Sequence, residues 1–382
     1  MSRIISKLPH VGTTIFTVMS QRAAELGAIN LAQGFPDYDP PGRLKTLLAE
    51  KVAAGQNQYA PMAGDMHLRQ QISRKFGLVY GIEPDPASQV TITLGATEAL
   101  FSAIQALVHP GDEVIVFDPA YDSYEPAVTL AGGKTIHLTL KEPSFTIDWA
   151  EVRGAINGRT RLIILNHPHN PTGAVCSEAD LDALADCVAG TDVLILADEV
   201  YEHLTFDGRR PLSCAAHPRL KDRTLGCFSF GKTMHATGWR IGYAIAPREL
   251  TTELRRVHQF NTFSIASPMQ AAIADFLKEE PGFSPGLSAF YERKRDYFLA
   301  ALEGSRFRYT KTPGTYFQLL DYSAIANSSD MEFAERLLVD VGVASIPISP
   351  FCQTPFALPL LRFCFAKNET TLAAAAERLR KL

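Results

Sequence analysis

From about residue 43 to residue 280 the chain alternates short apolar runs with stretches whose apolar residues return every three or four positions. Apolar runs bounded by turn residues predict strands, and the longer period predicts helices packed upon them. Strands are expected over residues 90–94, 113–117, 135–140, 161–165, 193–197, 225–230 and 241–246. Leu162-Ile-Ile-Leu165 and Val193-Leu-Ile-Leu-Ala197 are apolar at consecutive positions, so both of their faces need cover. That pattern belongs to a mostly parallel sheet covered by helices, an α/β architecture. Ser177, followed by Glu178 and Asp180, predicts a helix start with a capping hydroxyl and acids in the first turn.

Past Pro285 the texture changes. A helix of mixed charge is predicted over 287–302, strands near 316–320 and 361–365, and helices over 331–341 and 370–382. A chain of 382 residues exceeds the size at which a single core stops growing. The expected division is a large α/β domain, 43–284, and a smaller α+β domain, 285–382, with residues 1–42 joining the smaller one.

Hydrophobic residues make up 46% of the chain and charged residues 20%, enough to build a substantial core. The formal charge of −4 gives no general attraction to nucleic acid or to an anionic membrane, and neither is expected as a partner. No uncharged apolar run approaches the length of a membrane span, and the first twenty residues lack the continuous apolar stretch of a secretion signal. Six cysteines without C-x-x-C spacing read as reduced thiols, so a cytoplasmic location is expected.

The candidate chemistry lies where predicted strands end, the edge at which open α/β sheets collect ligands. Ser229-Phe-Gly-Lys-Thr-Met-His-Ala-Thr-Gly-Trp-Arg240 sets a lysine and an arginine eight residues apart with no acid between them. A lysine in apolar surroundings becomes a neutral amine able to attack a carbonyl, whereas an arginine stays charged and needs an anion. One ligand bearing an aldehyde and an anionic group satisfies both; a solvated lysine and a surface arginine are the plain alternative. Gly95-Ala-Thr97 turns from a strand into a helix, leaving free N–H groups suited to a phosphate, or Thr97 simply caps the helix. Asp198, ending a strand, fits the ring nitrogen of a pyridine, with Tyr201 near a phenolate oxygen, or else caps a turn. Asn170 is held between two prolines, where its amide suits a ring oxygen or a carboxylate. Tyr121 is placed to stack on a flat ring or to fill core, and Tyr59 lies on a loop from which its hydroxyl reaches toward a neighbouring phosphate. Arg362, a lone cation in an apolar strand, calls for a carboxylate, from a substrate or from a structural ion pair. His167 and His169 lack further ligands at metal-binding spacing, so no metal is expected.

In order along nearly the whole chain, GATEA, NPTG, DEVY, SFGK with Arg240 eight residues on, and the late Arg362 resemble the fold-type I pyridoxal-phosphate enzymes of the class I aminotransferases. NLAQGFPDYDPP, NQYAPMAG, FDPAYDSYEPA, ADEVYEHLTFDG and IPISPFC narrow the resemblance to bacterial methionine aminotransferases related to kynurenine aminotransferase. The resemblance implies pyridoxal 5'-phosphate as cofactor, with Lys232 as its covalent anchor and proton shuttle. Ser229, Arg240 and the turn at Gly95, Ala96 and Thr97 would bind its phosphate, joined by Tyr59 from the partner subunit of a homodimer. Asp198 would hold the ring nitrogen, Asn170 and Tyr201 the phenolate oxygen, and Tyr121 would stack on the ring. Arg362, Asn170 and the backbone at Gly34 would grip the substrate carboxylate. Two departures stand out: His235, where relatives carry a small residue near the phosphate rim, and Arg240, where they often carry lysine.

Phe16, Phe263 and the IPISPFC segment read as an apolar pocket wall, and no second arginine is evident for a dicarboxylate. The expected reaction is therefore transamination between an apolar or aromatic amino acid, methionine first, and a 2-oxo acid. The alternatives are a β-lyase acting on cysteine S-conjugates, marked by pyruvate and ammonia release without an acceptor, and a ligand-sensing module without catalysis.

Overall fold

The computed structural model describes residues 4–354, 356 and 358–382. All seven strands predicted in the first part of the chain form, and they build one sheet. They are β1 (Val90–Thr93), β2 (Glu113–Asp118), β3 (Lys134–Thr139), β4 (Thr160–Asn166), β5 (Leu194–Asp198), β6 (Thr224–Ser229) and β7 (Gly242–Ile245). Their order across the sheet is β1-β7-β6-β5-β4-β2-β3. Only β7 runs antiparallel to its neighbours, while β6, β5, β4, β2 and β3 pair in parallel.

The consecutive apolar residues do what the pattern requires. Val114, Val116, Leu162 and Ile164 pack on one side with Leu100, Ala103 and Ile104 of the helix Gly95–Leu107. Ile115, Ile163, Leu165 and Ile195 pack on the other with Leu181 and Leu184 of the helix Glu178–Val188. That helix starts as expected, with Ser177 and Asp180 forming a reciprocal capping box. Because the strands are parallel, the turns after β1, β2, β4, β5 and β6 all open at one edge of the sheet. β7 runs the other way, so the residues just before it, Arg240 and Ile241, arrive at that same edge.

The last part of the chain folds around a three-stranded antiparallel sheet of Ile346–Pro347, Leu360–Cys364 and Phe317–Asp321. Ile29–Asn30 pairs in parallel with Val343–Ala344, and Met19, Ala23 and Leu31 share a core with Phe317, Phe333, Phe363 and Leu372. The helix expected from residue 287 begins four residues earlier, as Phe283–Ala301, with Pro285 in its first turn, where a missing N–H costs no bond. The helix expected over 331–341 is Asp330–Arg336 followed by a π-helical stretch, Leu337–Val341, closed by Gly342 at φ 72°. Two-residue strands escaped the sequence pattern because they are shorter than one alternation. Among the described residues no helix is long and apolar enough to cross a membrane.

Candidate active site

At the carboxyl edge of the sheet, β1 runs into Gly95, whose φ of 72° turns the chain into the helix Gly95–Leu107. A Cβ at Gly95 would lie 2.8 Å from Nη2 of Arg240, so the guanidinium and the turn need glycine to meet. Arg240, itself left-handed with φ 53°, donates from Nη1 to the Thr237 carbonyl at 3.0 Å and from Nη2 to Thr97 Oγ1 at 3.4 Å. Gly242 closes the floor: a Cβ there would stand 2.5 Å from the Phe228 carbonyl oxygen and 2.8 Å from the Gly95 carbonyl carbon. Free helix N–H groups, a guanidinium and the buried Ser229 together form an anion cradle.

Lys232 stands on the short helix Phe230–Thr233 directly after β6. Its Nζ donates to the Gly34 carbonyl at 2.9 Å and lies 5.6 and 5.4 Å from the ring centres of Tyr201 and Tyr316. The Tyr316 hydroxyl donates to the same Gly34 oxygen at 2.5 Å. Burial pulls the Lys232 amine down to about 8, and the Arg362 and Arg240 cations add to the pull against Cys364 and Asp198.

Asp198, at the end of β5, is 4% exposed and faces the same space. Its Oδ2 accepts the Tyr124 hydroxyl at 2.6 Å, and its carbonyl accepts Asn166 Nδ2 at 2.9 Å. Burial raises its carboxyl to about 6, against the lowering effect of the Tyr124 bond. Tyr121 packs edge-on against Tyr124 with ring centres 5.6 Å apart, and burial lifts its hydroxyl to about 12.

Arg362 is 1% exposed. Nη1 donates to Asn170 Oδ1 at 2.7 Å and Nη2 to the Ala32 carbonyl at 2.7 Å, while Nε is buried with no partner among the described residues. The guanidinium carbon lies 3.9 Å from the Phe317 ring centre and 5.0 Å from that of Phe16, so π faces enclose the cation. Asn170 is held in turn by its own N–H, which donates to Asn166 Oδ1 at 2.7 Å.

One cavity of about 240 Å³ gathers these groups: Phe16, Gly34, Ala96, Thr97, Tyr121, Asn170, Asp198, Tyr201, Ser229, Lys232, Arg240 and Arg362 all line it. Gly95 lies at its rim through the Arg240 contact. Tyr59 and Phe263 stand outside the lining: Tyr59 is 84% exposed, and the two rings pack edge-on at 5.5 Å. His235, expected at the phosphate rim, turns away from it: its Nδ1 is 3.0 Å from the Tyr291 hydroxyl, in a cluster with Tyr38 and Phe290. His169 bonds Thr172 through Nδ1 at 2.7 Å and His167 accepts the Cys176 N–H at 2.9 Å, so both serve the loop. Sequence reasoning missed four residues: Asn166, Phe317, Tyr124 and Tyr316. Asn166 ends β4 as Asp198 ends β5 and was accessible to the same rule; the other three are ordinary aromatic residues with no local signal.

Residues 27–379 match the family model described as aminotransferase class I and II. The chain belongs to that aminotransferase family. The aminotransferase is 51% identical to the methionine aminotransferase of Escherichia coli strain K12, over 99% of this chain and 98% of the relative. It is 34% identical to kynurenine–oxoglutarate transaminase 1 of Rattus norvegicus, over 98% and 97% of the two chains. Among solved structures it superposes on YbdL from Escherichia coli, a protein described with a methionine aminotransferase function, with a TM-score of 0.97 at 50% identity and full coverage of both chains.

Pyridoxal 5'-phosphate is the cofactor of these aminotransferases, and the cavity fits it. The anion cradle suits the phosphate, the low-pKa amine of Lys232 suits the aldehyde, and buried Asp198 lacks only the cation that a protonated ring nitrogen supplies.

Proposed function

We propose that the enzyme moves the amino group of an apolar or aromatic L-amino acid, methionine first, to a 2-oxo acid. The observation that carries this reading is the distribution of charge in the cavity. Its described lining holds three cations, Lys232, Arg240 and Arg362. Lys232 is taken by the aldehyde and Arg240 by the phosphate, which leaves Arg362 for the one carboxylate that every amino acid shares. A side-chain carboxylate would then enter between Phe16, Phe317 and Tyr201 with no cation left to meet it.

The bound cofactor supplies an electron-withdrawing ring that acidifies the Cα–H of an attached amino acid. The residues do the rest. Arg362 pairs with the substrate carboxylate through the N–H groups that its bonds to Asn170 and Ala32 leave free, while Asn170 and Phe317 fix the plane of the guanidinium. Lys232 Nζ would hold the cofactor aldehyde and, as a buried amine of lowered pKa, would serve as the base that takes and returns the substrate Cα proton. Asp198, held by the Tyr124 hydroxyl, would pair with a protonated ring nitrogen, a partner that favours its ionised form. Asn170 and Tyr201 hold the phenolate oxygen, Tyr121 stacks on the ring, and Ser229 with the N–H groups of Ala96 and Thr97 holds the phosphate. In this reading residues 43–284 form the body that holds the cofactor, and residues 285–382 with 1–42 bring Arg362 and Phe16 to it.

A homodimer belongs to the same proposal. Tyr59 and Phe263, exposed on one chain, suit a contact at which Tyr59 reaches the partner's phosphate and Phe263 the partner's pocket. A cytoplasmic location accords with six unbridged cysteines. The deciding experiment supplies L-methionine to the cofactor-loaded enzyme with no acceptor. One equivalent of 2-oxo acid per site, and at least ~100-fold lower kcat/KM for L-aspartate in full turnover, is the expected result. Absence of 2-oxo acid with every apolar donor would sink the proposal, and continuous ammonia release from a cysteine S-conjugate would establish the β-lyase.

A further inference from the structure

A second and larger cavity, of about 650 Å³, lies behind the catalytic one, between the carboxyl ends of β2 and β4 and the segments 308–321 and 358–360. Its volume falls within the range of small-molecule sites, and junctions between packed units are where such sites concentrate. Phe117, Leu140, Phe145, Leu165, Leu319 and Leu360 make an apolar wall, faced by a polar one that includes Thr172, Thr310, Thr312 and Gln318. Phe145 is 7% exposed and sits at φ 53°, a left-handed backbone that a bulky residue adopts only under strain. The strained backbone belongs to a ring that forms part of this wall.

Charge at the mouth selects the ligand. Three cations line the cavity, Arg209, Arg308 and Lys311. Arg209 pairs with Asp207 at 3.4 Å, and Lys311 with Asp296 at 2.9 Å. The two lining acids are also engaged: Asp180 by Ser177 and by Trp149 at 3.0 Å, Asp321 by the Ser323 N–H at 2.7 Å. Arg308 pairs through its backbone with Asp321, and its guanidinium has no partner among the described residues. An apolar wall beside an exposed guanidinium that no described residue engages matches an anion with a hydrophobic body.

We propose that this cavity is a second ligand site, for a monocarboxylate with an aromatic or aliphatic body whose carboxylate pairs with Arg308. The site touches the catalytic machinery from behind. Asn166 lines both cavities, and Tyr124, which lines the larger one, holds Asp198. The ligand therefore sits against the residues that fix Asn170 and Asp198 without entering the space of the substrate.

The test uses 4-phenylbutyrate, which has neither an amino nor a 2-oxo group to transfer, titrated into the cofactor-loaded enzyme by calorimetry. Two saturable sites are expected, one displaced by L-methionine and one not. Arg308→Glu should weaken the second by about tenfold or more, the loss of a charge-assisted pair, and Thr310→Trp should block it. Both substitutions lie outside the catalytic cavity, so transamination without the probe should keep its kcat/KM. A single site, fully displaced by L-methionine and indifferent to Arg308→Glu, would overturn the proposal. So would two sites that both survive Arg308→Glu unchanged.

Discussion

Two lysines face opposite sides of the turn that follows β5, and they have opposite fates. Lys232 opens onto the cavity, where its amine meets a carbonyl oxygen and two aromatic rings but forms no ion pair among the described residues. Lys75, 6% exposed on the helix Met66–Tyr80, donates to Glu202 Oε1 at 2.6 Å and to the Tyr243 hydroxyl at 2.5 Å, with His203 Nε2 at 3.1 Å. Burial lowers the pKa of both amines, and for Lys75 the Glu202 carboxylate opposes that fall. Burial also works against the charge of Glu202, yet His203 and Lys75 hold its carboxyl below the usual range. One stretch, Asp198-Glu-Val-Tyr-Glu-His203, sends Asp198 and Tyr201 into the cavity and Glu202 to the other side. The lesson is that enclosure alone makes neither a reagent nor a brace. Whether a carboxylate bonds the amine directly decides which one a lysine becomes.

The largest effect is expected at Lys232. Lys232→Ala would remove the proposed covalent anchor and proton carrier together, and turnover should fall by at least ~10⁴-fold with the melting temperature maintained or raised. Retained transamination at near wild-type rate would end the assignment of the amine. Lys75→Met should act the other way, costing about 3–5 kcal/mol of unfolding free energy because Glu202 keeps a buried charge without its partner. Lys75→Met with Glu202→Leu should recover most of that loss in a denaturant titration. A single variant as stable as the parent would show that the pair braces nothing.

Arg362→Ala is expected to lower kcat/KM for methionine by about 10- to 100-fold, the worth of a charge-assisted pair, while cofactor content stays full. Unchanged kcat/KM would remove the carboxylate role. The smallest effect is a pH profile. Lys232, down to about 8, is mostly cationic below that pH and mostly neutral above it. The rate at which the cofactor-free enzyme captures pyridoxal phosphate should therefore rise with pH to a half-point near 8 and level off. A rate still climbing steeply at the pKa of an ordinary lysine, about 10.4, would mean that the amine is unperturbed.

Much of the site was legible because its residues sit at strand ends, and strand ends show in the hydrophobic pattern. Asp198 ends β5, and Gly95, Lys232 and Asn170 lie two, three and four residues beyond the ends of β1, β6 and β4, so the sheet edge brings them together. Arg362 was visible as a charge in an apolar strand. Tyr124 was not: its bond to Asp198 spans 74 residues, and a tyrosine in an amphipathic stretch signals only core. The Lys75–Glu202 pair, 127 residues apart, was hidden for the same reason. His235 shows the converse error, since nearness to Lys232 in sequence suggested nearness to the phosphate. Its φ of 55° instead accompanies a side chain packed among the aromatic rings behind.

Gly242 carries a consequence for anyone who sets out to retrain this enzyme on new amino donors. With backbone atoms of Phe228 and Gly95 within 2.8 Å of where its side chain would begin, position 242 admits one residue type. Any other would push the Gly95 turn off the sheet, and with it the proposed phosphate cradle that every donor shares. A mutant library gains breadth by leaving Gly95 and Gly242 untouched and randomising Phe16 together with the wall that faces it. Variation there alters the choice of guest, whereas variation under the phosphate alters only whether the house stands.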